Sequence, residues 1–244
     1  METAFSIDYH VIDNCNLACD FCSHYSNFAR PKSIYTIEQA TEEWEKWRPY
    51  IQPSRLHLLG GEPTLHPDLE QMAKKAHQVW DKSEIWIYTN GTYLDRHPNL
   101  HHYVHGIVLM KHYKDMGSIL DQCNRFNIAD VRESSQWFRF YNLVNGKPTP
   151  FRDEDKRASW ANCIAKECVV LRNSKLWKCP QVAFHMDAKI DWPEFNNYVA
   201  LDNPEGLSEW LKKEDEECCS CCPANPKQYH KPLVQLGIGN PKIT

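Results

Sequence analysis

The 244-residue chain has no apolar stretch approaching the roughly 20 residues that a membrane span requires. Its first residues, Met1-Glu2-Thr3-Ala4-Phe5, lack the basic-then-apolar order of an export signal, so a cytoplasmic setting is expected. The net charge is only −4, which argues against nucleic acid or a membrane as partner. There is no internal repeat and no low-complexity tract. What the chain does have is cysteine: eleven of them, an odd number. Four fall within a five-residue stretch, Cys218, Cys219, Cys221 and Cys222, where neighbours are poorly placed to pair with one another. Metal or cluster ligation in a reducing compartment fits this usage better than disulfides. Hydrophobic residues make up 42%, enough for a sizeable core. Nine Trp and eleven Tyr suit either an aromatic core or a pocket for a flat ligand.

The run Asn14-Cys15-Asn16-Leu17-Ala18-Cys19-Asp20-Phe21-Cys22 spaces three cysteines as C-x3-C-x2-C. Three thiolates on one short loop can hold three irons of a [4Fe–4S] cube. The fourth iron then stays open to bind and reduce a cofactor, which a four-cysteine electron-transfer site cannot do. The alternative is a structural zinc knuckle, with His24 completing a Cys3His set.

Along the chain, residues 4–12 alternate as a strand, and the cysteine loop follows directly. Thr36 reads as the N-cap of a helix to about Tyr50. Leu56-His57-Leu58-Leu59 reads as a short buried strand ending in Gly60-Gly61, and Pro67 opens a helix to about Trp80. Residues 84–88 and 106–110 are further strands, and Ser135–Tyr141 is a fifth. This alternation indicates βαβ units and a parallel sheet. With five or six units before residue 160, the length suits a partial, open (β/α)6-type barrel rather than a closed eight-stranded one. Residues 145–157 are turn-rich and charged, like a linker. The expected organisation is an α/β barrel over 1–159 and a small cysteine-rich, cluster-binding module over 160–244.

Parallel α/β folds place their sites at the C-terminal ends of the strands. Three loops meet that criterion: the cysteine loop, Gly60-Gly61-Glu62-Pro63, and Tyr88-Thr89-Asn90-Gly91-Thr92. Paired glycines let the backbone approach a ligand, and a carboxylate beside them can accept from an ammonium group. Taken singly, the second and third loops are also ordinary turns.

Together the three loops resemble the radical S-adenosylmethionine (radical SAM) superfamily, over about residues 5–140. The resemblance implies a partial TIM barrel. It implies that Cys15, Cys19 and Cys22 bind a [4Fe–4S] cluster whose open iron is chelated by the methionine end of SAM. Gly60, Gly61, Glu62 and Pro63 would hold that end of SAM, Phe21 would pack near the adenine, and Thr89 and Asn90 would lie near the ribose or carboxylate. An external donor such as flavodoxin or ferredoxin would supply the electron that cleaves SAM to methionine and a 5′-deoxyadenosyl radical, which abstracts hydrogen from the substrate.

The later cysteines form a second constellation. Cys163 and Cys168 precede a hairpin turning at Arg172-Asn173-Ser174-Lys175, Cys179 follows it, and Cys218-Cys219-Ser220-Cys221-Cys222 offers two overlapping C-x2-C pairs. This resembles the twitch and SPASM modules that hold an auxiliary [4Fe–4S] cluster. The expected ligands are Cys168, Cys179, Cys219 and Cys222, with Cys163, Cys218 and Cys221 as substitutes. A zinc ribbon or spare buried thiols are the alternatives. In the family, glycine usually stands where Ser174 does.

Lys111 and Tyr113, with His112 between them, follow the fourth strand and are candidates for substrate contact or proton donation, as is Arg139. A solvated loop explains them equally well. His101, His102 and His105 fit a solvated helix end better than a metal set. The expected function is hydrogen abstraction from a small molecule (a sugar, nucleoside or amino-acid derivative), giving oxidation, rearrangement or epimerisation. Peptide-maturing relatives commonly carry a leader-binding domain before the barrel, and only 14 residues precede Cys15 here. Peptide modification therefore stands second, and a non-catalytic metal-binding scaffold third.

Overall fold

A computed structural model describes residues 2–28, 33–110, 116–134, 136–137, 139–152, 155–225 and 231–232. Strand β1 (Glu2–Ile12) leads into the cysteine loop, and helix α1 (Ile37–Trp47) follows it. Thr36 caps α1 as expected: its hydroxyl accepts from the Gln39 N–H while the Gln39 side chain accepts from the Thr36 N–H. Then come β2 (Ile51–Gly60), α2 (Leu69–Val79), β3 (Glu84–Thr89), β4 (Gly106–Met110), α3 (Gly117–Arg125) and β5 (Val131–Ser134). The remaining strands are β6 (Gln136–Trp137), β7 (Asn142–Val144), β8 (Lys147–Thr149), β9 (Cys168–Arg172), β10 (Lys175–Trp177) and β11 (Lys231–Pro232). Short helices α4 (Lys156–Ala161), α5 (Pro180–Phe184), α6 (Pro193–Asn196) and α7 (Leu207–Lys212) are interspersed among the later strands.

The main sheet has seven strands in the order β10-β9-β1-β2-β3-β4-β5. All neighbouring pairs are parallel except the β9–β10 hairpin. β10 and β5 are the two ends of the order, so the sheet is open. Two expectations shift. The fifth parallel strand is Val131–Ser134, not Ser135–Tyr141, and it pairs with β4. It is a polar, largely uncovered edge strand, so it lacks the apolar pattern that draws attention to the aromatic residues after it. The sheet also crosses the boundary expected at residue 159: β9 pairs alongside β1, with Ser6 opposite Cys168 and Asp8 opposite Val170. Without β9, the outer edge of β1 would be left without hydrogen-bond partners.

Alternation sorts the side chains. Ile7, Tyr9, Leu56, Leu58, Ile85, Ile87, Ile107 and Leu109 point into one core with α1 and α2, around the fully buried Trp44, Trp47 and Trp80. Their neighbours Asp8, His57, Leu59, Tyr88, Val108 and Met110 point to the other face and line a cavity. A second core gathers Tyr25, Tyr141, Val182, Phe184, Phe195, Cys218 and Cys221. The aromatic content is thus largely core.

Two devices tie β9–β10 to the rest. The turn residues Asn173 and Ser174 both take the left-handed conformation (φ 52° and 58°), as a two-residue hairpin turn requires. Helix α1 clamps them: Glu43 accepts from the Ser174 N–H at 3.0 Å, and Lys46 and Trp47 donate to the Ser174 carbonyl at 2.7 and 3.1 Å. The clamp lets serine stand where glycine is usual. The other device is Arg172, 6% exposed, which donates to both carboxylate oxygens of Asp13 at 3.2 Å and also to Asp187. Asp13 is 4% exposed at the head of the cysteine loop. Replacing Arg172 with Ala removes the guanidinium from that buried carboxylate and is expected to cost about 3–5 kcal/mol, read as a lowered urea midpoint. An unchanged midpoint would show that the pair contributes nothing net.

Candidate active site

The cysteine loop has little regular structure of its own, and backbone contact places it. Gly61 N–H donates to the Ile12 carbonyl at 2.9 Å, and Glu62 N–H to that of Asn14 at 2.8 Å. A Cβ on Gly60 would sit 2.2 Å from the Ile12 oxygen, and one on Gly61 2.2 Å from the Asn14 oxygen. Both glycines are needed so that the two loops can touch.

Glu62 is 1% exposed. Its carboxylate accepts from Thr64 N–H (3.0 Å), the Thr64 hydroxyl (2.6 Å), the Thr89 hydroxyl and Asn90 N–H (2.8 Å). Burial pushes its pKa up, against the pull of these donors. Glu62 thus joins the β2 loop to the end of β3. Asn90 closes the triangle by donating to the Asn16 side chain at 2.9 Å. Asn16 in turn donates to Thr92 at 3.2 Å. Gly91 (φ 78°) makes the turn between them, and a Cβ there would meet Ile119 at 2.5 Å. The three loops are therefore one cross-braced unit.

That unit walls a cavity of about 500 Å³, within the range of small-molecule sites. Cys15, Cys19, Cys22, Gly60, Gly61, Glu62, Thr89 and Asn90 line it. Pro63 is buried at the start of the short turn after Glu62. Phe21 is not among the lining residues; it takes φ 58°, stacks under the Arg139 guanidinium at 4.3 Å and faces Tyr141 at 5.7 Å. Lys111, His112 and Tyr113 lie outside the described residues. His101, His102 and His105 do not converge, and His105 accepts from Ile85 N–H at 2.9 Å.

The donor set fits an iron–sulfur cluster. Leu17 N–H points at the Cys15 sulfur at 3.4 Å. Burial first, then the charges of Cys22 and Cys15, drives the Cys19 thiol far above the ordinary cysteine value. A thiol so placed ionises only against a compensating cation. Among the described residues no three His, Cys, Asp or Glu side chains converge on a point where a single ion would sit.

The later cysteines divide. Burial, then the charges of Cys179, Cys163, Cys219 and Cys221, pushes the Cys222 thiol well up, and burial with the charges of Cys179 and Cys219 acts likewise on Cys163. Cys218 and Cys221 are buried in the second core, at 2% and 0% exposure, with Cys218 also beside Cys179. Cys168 has Cys163 as its cysteine neighbour. It lines the main cavity, where the Ser6 hydroxyl donates to its sulfur at 3.2 Å. Burial and the nearby Asp8 push its thiol well up.

Sequence reading passed over the cavity's polar wall. His57 Nδ1 lies 2.7 Å from Asp8 Oδ1, and Tyr88 packs on the imidazole at 4.7 Å. All three line the cavity. The signal was present: polar residues on alternate positions of a buried strand, and one histidine in a run of leucines.

The model of the radical SAM superfamily matches residues 9–129. This segment belongs to the radical SAM superfamily. The chain is 34% identical over 85 residues to a GTP 3′,8-cyclase of Aquifex aeolicus (strain VF5). It is 30% identical over 95 residues to an S-adenosylmethionine-dependent nucleotide dehydratase of Flammeovirga pacifica. These matches take in 34% and 37% of the chain and span 26% and 32% of the two relatives' lengths. In fold it is similar to the crystal structure of BtrN in complex with AdoMet and 2-DOIA, with a TM-score of 0.57 and 16% identity, covering 91% of this chain and 94% of that one. Among the described residues no helix is long and apolar enough to cross a membrane.

Gly61→Ala is expected to push the cysteine loop away and lower the iron retained after anaerobic reconstitution, with helical circular dichroism unchanged. Glu62→Gln turns an amide N–H toward donors it cannot satisfy. A loss of about 1–3 kcal/mol is expected, measured by urea unfolding. Wild-type stability in the glutamine variant would mean that the brace does not hold the loops.

Proposed function

We propose that this chain is an enzyme that reductively cleaves SAM and uses the resulting radical to abstract hydrogen from a small hydroxylated molecule. The observation that carries the reading is the single cavity on which the three-cysteine loop, the Gly60-Gly61-Glu62 loop and the Thr89–Asn90 turn converge. When bound, a cluster with an open iron and SAM would supply a 5′-deoxyadenosyl radical. The chain's own residues do the rest. Cys15, Cys19 and Cys22 would hold the cluster. Gly60 and Gly61 line the cavity where the methionine end of SAM would lie, and Asn90 presents polar atoms at its wall. Glu62 acts by holding these loops in place. Its oxygens are already taken by four donors, so a direct contact with the SAM amino group is not part of this reading.

The substrate class rests on the cavity wall. Val108, Met110, Leu59 and Phe140 are apolar and exclude water, while Asp8, His57, Tyr88 and Ser134 offer hydrogen-bonding groups. Such a lining suits a sugar, a nucleoside or an amino-acid derivative. The names of the curated relatives, a nucleotide cyclase and a nucleotide dehydratase, favour the nucleoside end of that range.

A second [4Fe–4S] cluster is part of the proposal. Proximity favours Cys163, Cys179, Cys219 and Cys222 as its ligands, with Cys163 in place of Cys168. A flavodoxin- or ferredoxin-class protein would deliver electrons.

Anaerobically reconstituted protein is expected to be brown, to absorb near 400 nm and to hold about eight irons per chain. With a low-potential reductant it should convert SAM to 5′-deoxyadenosine. The triple variant Cys15→Ala, Cys19→Ala, Cys22→Ala should release none. Colourless, zinc-loaded protein, or SAM cleavage by the triple variant, would overturn the assignment.

A further inference from the structure

Tyr25 is a fully buried phenol on the cysteine loop, three residues beyond Cys22. Its backbone takes the left-handed conformation, φ 56°, which a bulky residue keeps only where its surroundings enforce it. Its N–H donates to the Cys22 carbonyl at 3.0 Å, and the Tyr141 hydroxyl donates to the same oxygen at 3.2 Å. The two tyrosine rings pack together with centroids 5.3 Å apart, and Phe28 lies 6.2 Å from each. The Tyr25 side chain belongs to the second core, which also holds Cys218 and Cys221 and against which Cys179 packs.

The two hydroxyls differ in one respect. That of Tyr141 is bonded, whereas that of Tyr25 is buried and has no hydrogen-bond partner among the described residues. A buried O–H loses its hydration on folding and calls for an acceptor in return. Burial first, then the charges of Cys179, Tyr141, Cys222 and Cys221, holds the phenol protonated, far above the ordinary tyrosine value. Cys179 and Cys222 are two of the four cysteines assigned above to the second cluster. A ligand sulfur of that set is the acceptor this hydroxyl is placed to meet. A hydrogen bond to such a sulfur withdraws negative charge from it and favours the reduced cluster over the oxidised one.

We propose that Tyr25 is a positioning residue of the second cluster: its hydroxyl donates to the sulfur of Cys179 or Cys222, orients that ligand and raises the cluster's reduction potential. This rests on the second [4Fe–4S] cluster of the proposed function. It adds a residue that belongs to the loop of the first. One tyrosine thereby ties the two sites together, its N–H on Cys22 and its O–H on the other ligand set.

The second cluster is read alone in the full-length Cys15→Ala, Cys19→Ala, Cys22→Ala variant, which should hold about four irons after anaerobic reconstitution. Adding Tyr25→Phe removes the hydroxyl and keeps the ring. Reductive titration followed by electron paramagnetic resonance should then show a lower midpoint. At the ambient potential where the parent is half reduced, the ratio of reduced to oxidised cluster should fall about tenfold, a shift of about 59 mV for one electron. Iron content should not change, because the four cysteines are untouched. Tyr141→Phe is the control: it removes a hydroxyl from the same core and should leave the midpoint in place. Tyr25→3-fluorotyrosine, made by stop-codon suppression, keeps both ring and hydroxyl. Its more acidic O–H donates more strongly, so the midpoint should rise. A midpoint that Tyr25→Phe does not lower, an equal fall from Tyr141→Phe, iron lost with Tyr25→Phe, or no rise on fluorination overturns the proposal. If the parent variant holds no iron, the second-cluster reading itself fails and takes this inference with it.

Discussion

The site depends on a backbone contact more than on any side chain. The cysteine loop needs a surface to lie on, and Gly60 and Gly61 provide one by having no Cβ. The two hydrogen bonds from Gly61 and Glu62 to Ile12 and Asn14 are possible only at that distance. The thiols keep their places because of what happens on the next strand. The residues that suggest a ligand-binding loop are therefore first of all residues that position another loop.

Glu62 extends the same logic. A carboxylate at 1% exposure is costly unless its lone pairs are occupied. Here donors from Thr64, Thr89 and Asn90 occupy them and convert the cost into a connection between β2 and β3. Asn90 and Asn16 complete the ring. Three loops with no regular hydrogen bonding of their own become one rigid rim. A rim of that kind is what a reactive intermediate requires, since radical chemistry tolerates neither water nor stray hydrogen donors.

The C-terminal segment does two jobs with one strand. β9 covers the exposed edge of β1 and carries Cys168 into the cavity, while the hairpin it starts leads to Cys179 and on toward the cysteine-rich turn. The same continuity explains why Arg172 is buried against Asp13 at the head of the cysteine loop. The two halves of the chain share a sheet, a buried ion pair and a cavity wall.

Much of this was written in the chain. The alternation of strands and helices, the N-cap at Thr36, the strand Gly106–Met110 and the three motif loops are local patterns, and local hydrogen bonding and side-chain period determine them. The cavity-lining loops were legible because each motif sits at the end of its strand. What the sequence could not decide is anything that depends on which elements become neighbours. The pairing of β9 with β1 joins residues 162 positions apart, and nothing local encodes it. It was that pairing which set Cys168 beside Ser6 and Asp8. Spacing alone treats Cys163 and Cys168 as interchangeable. The polar edge strand Val131–Ser134 escaped notice for the same reason, because its partner rather than its composition makes it a strand. The sequence determined which residues stand on the three motif loops, and only the tertiary structure decided which thiols share one cavity, because that depends on strand pairing between distant segments.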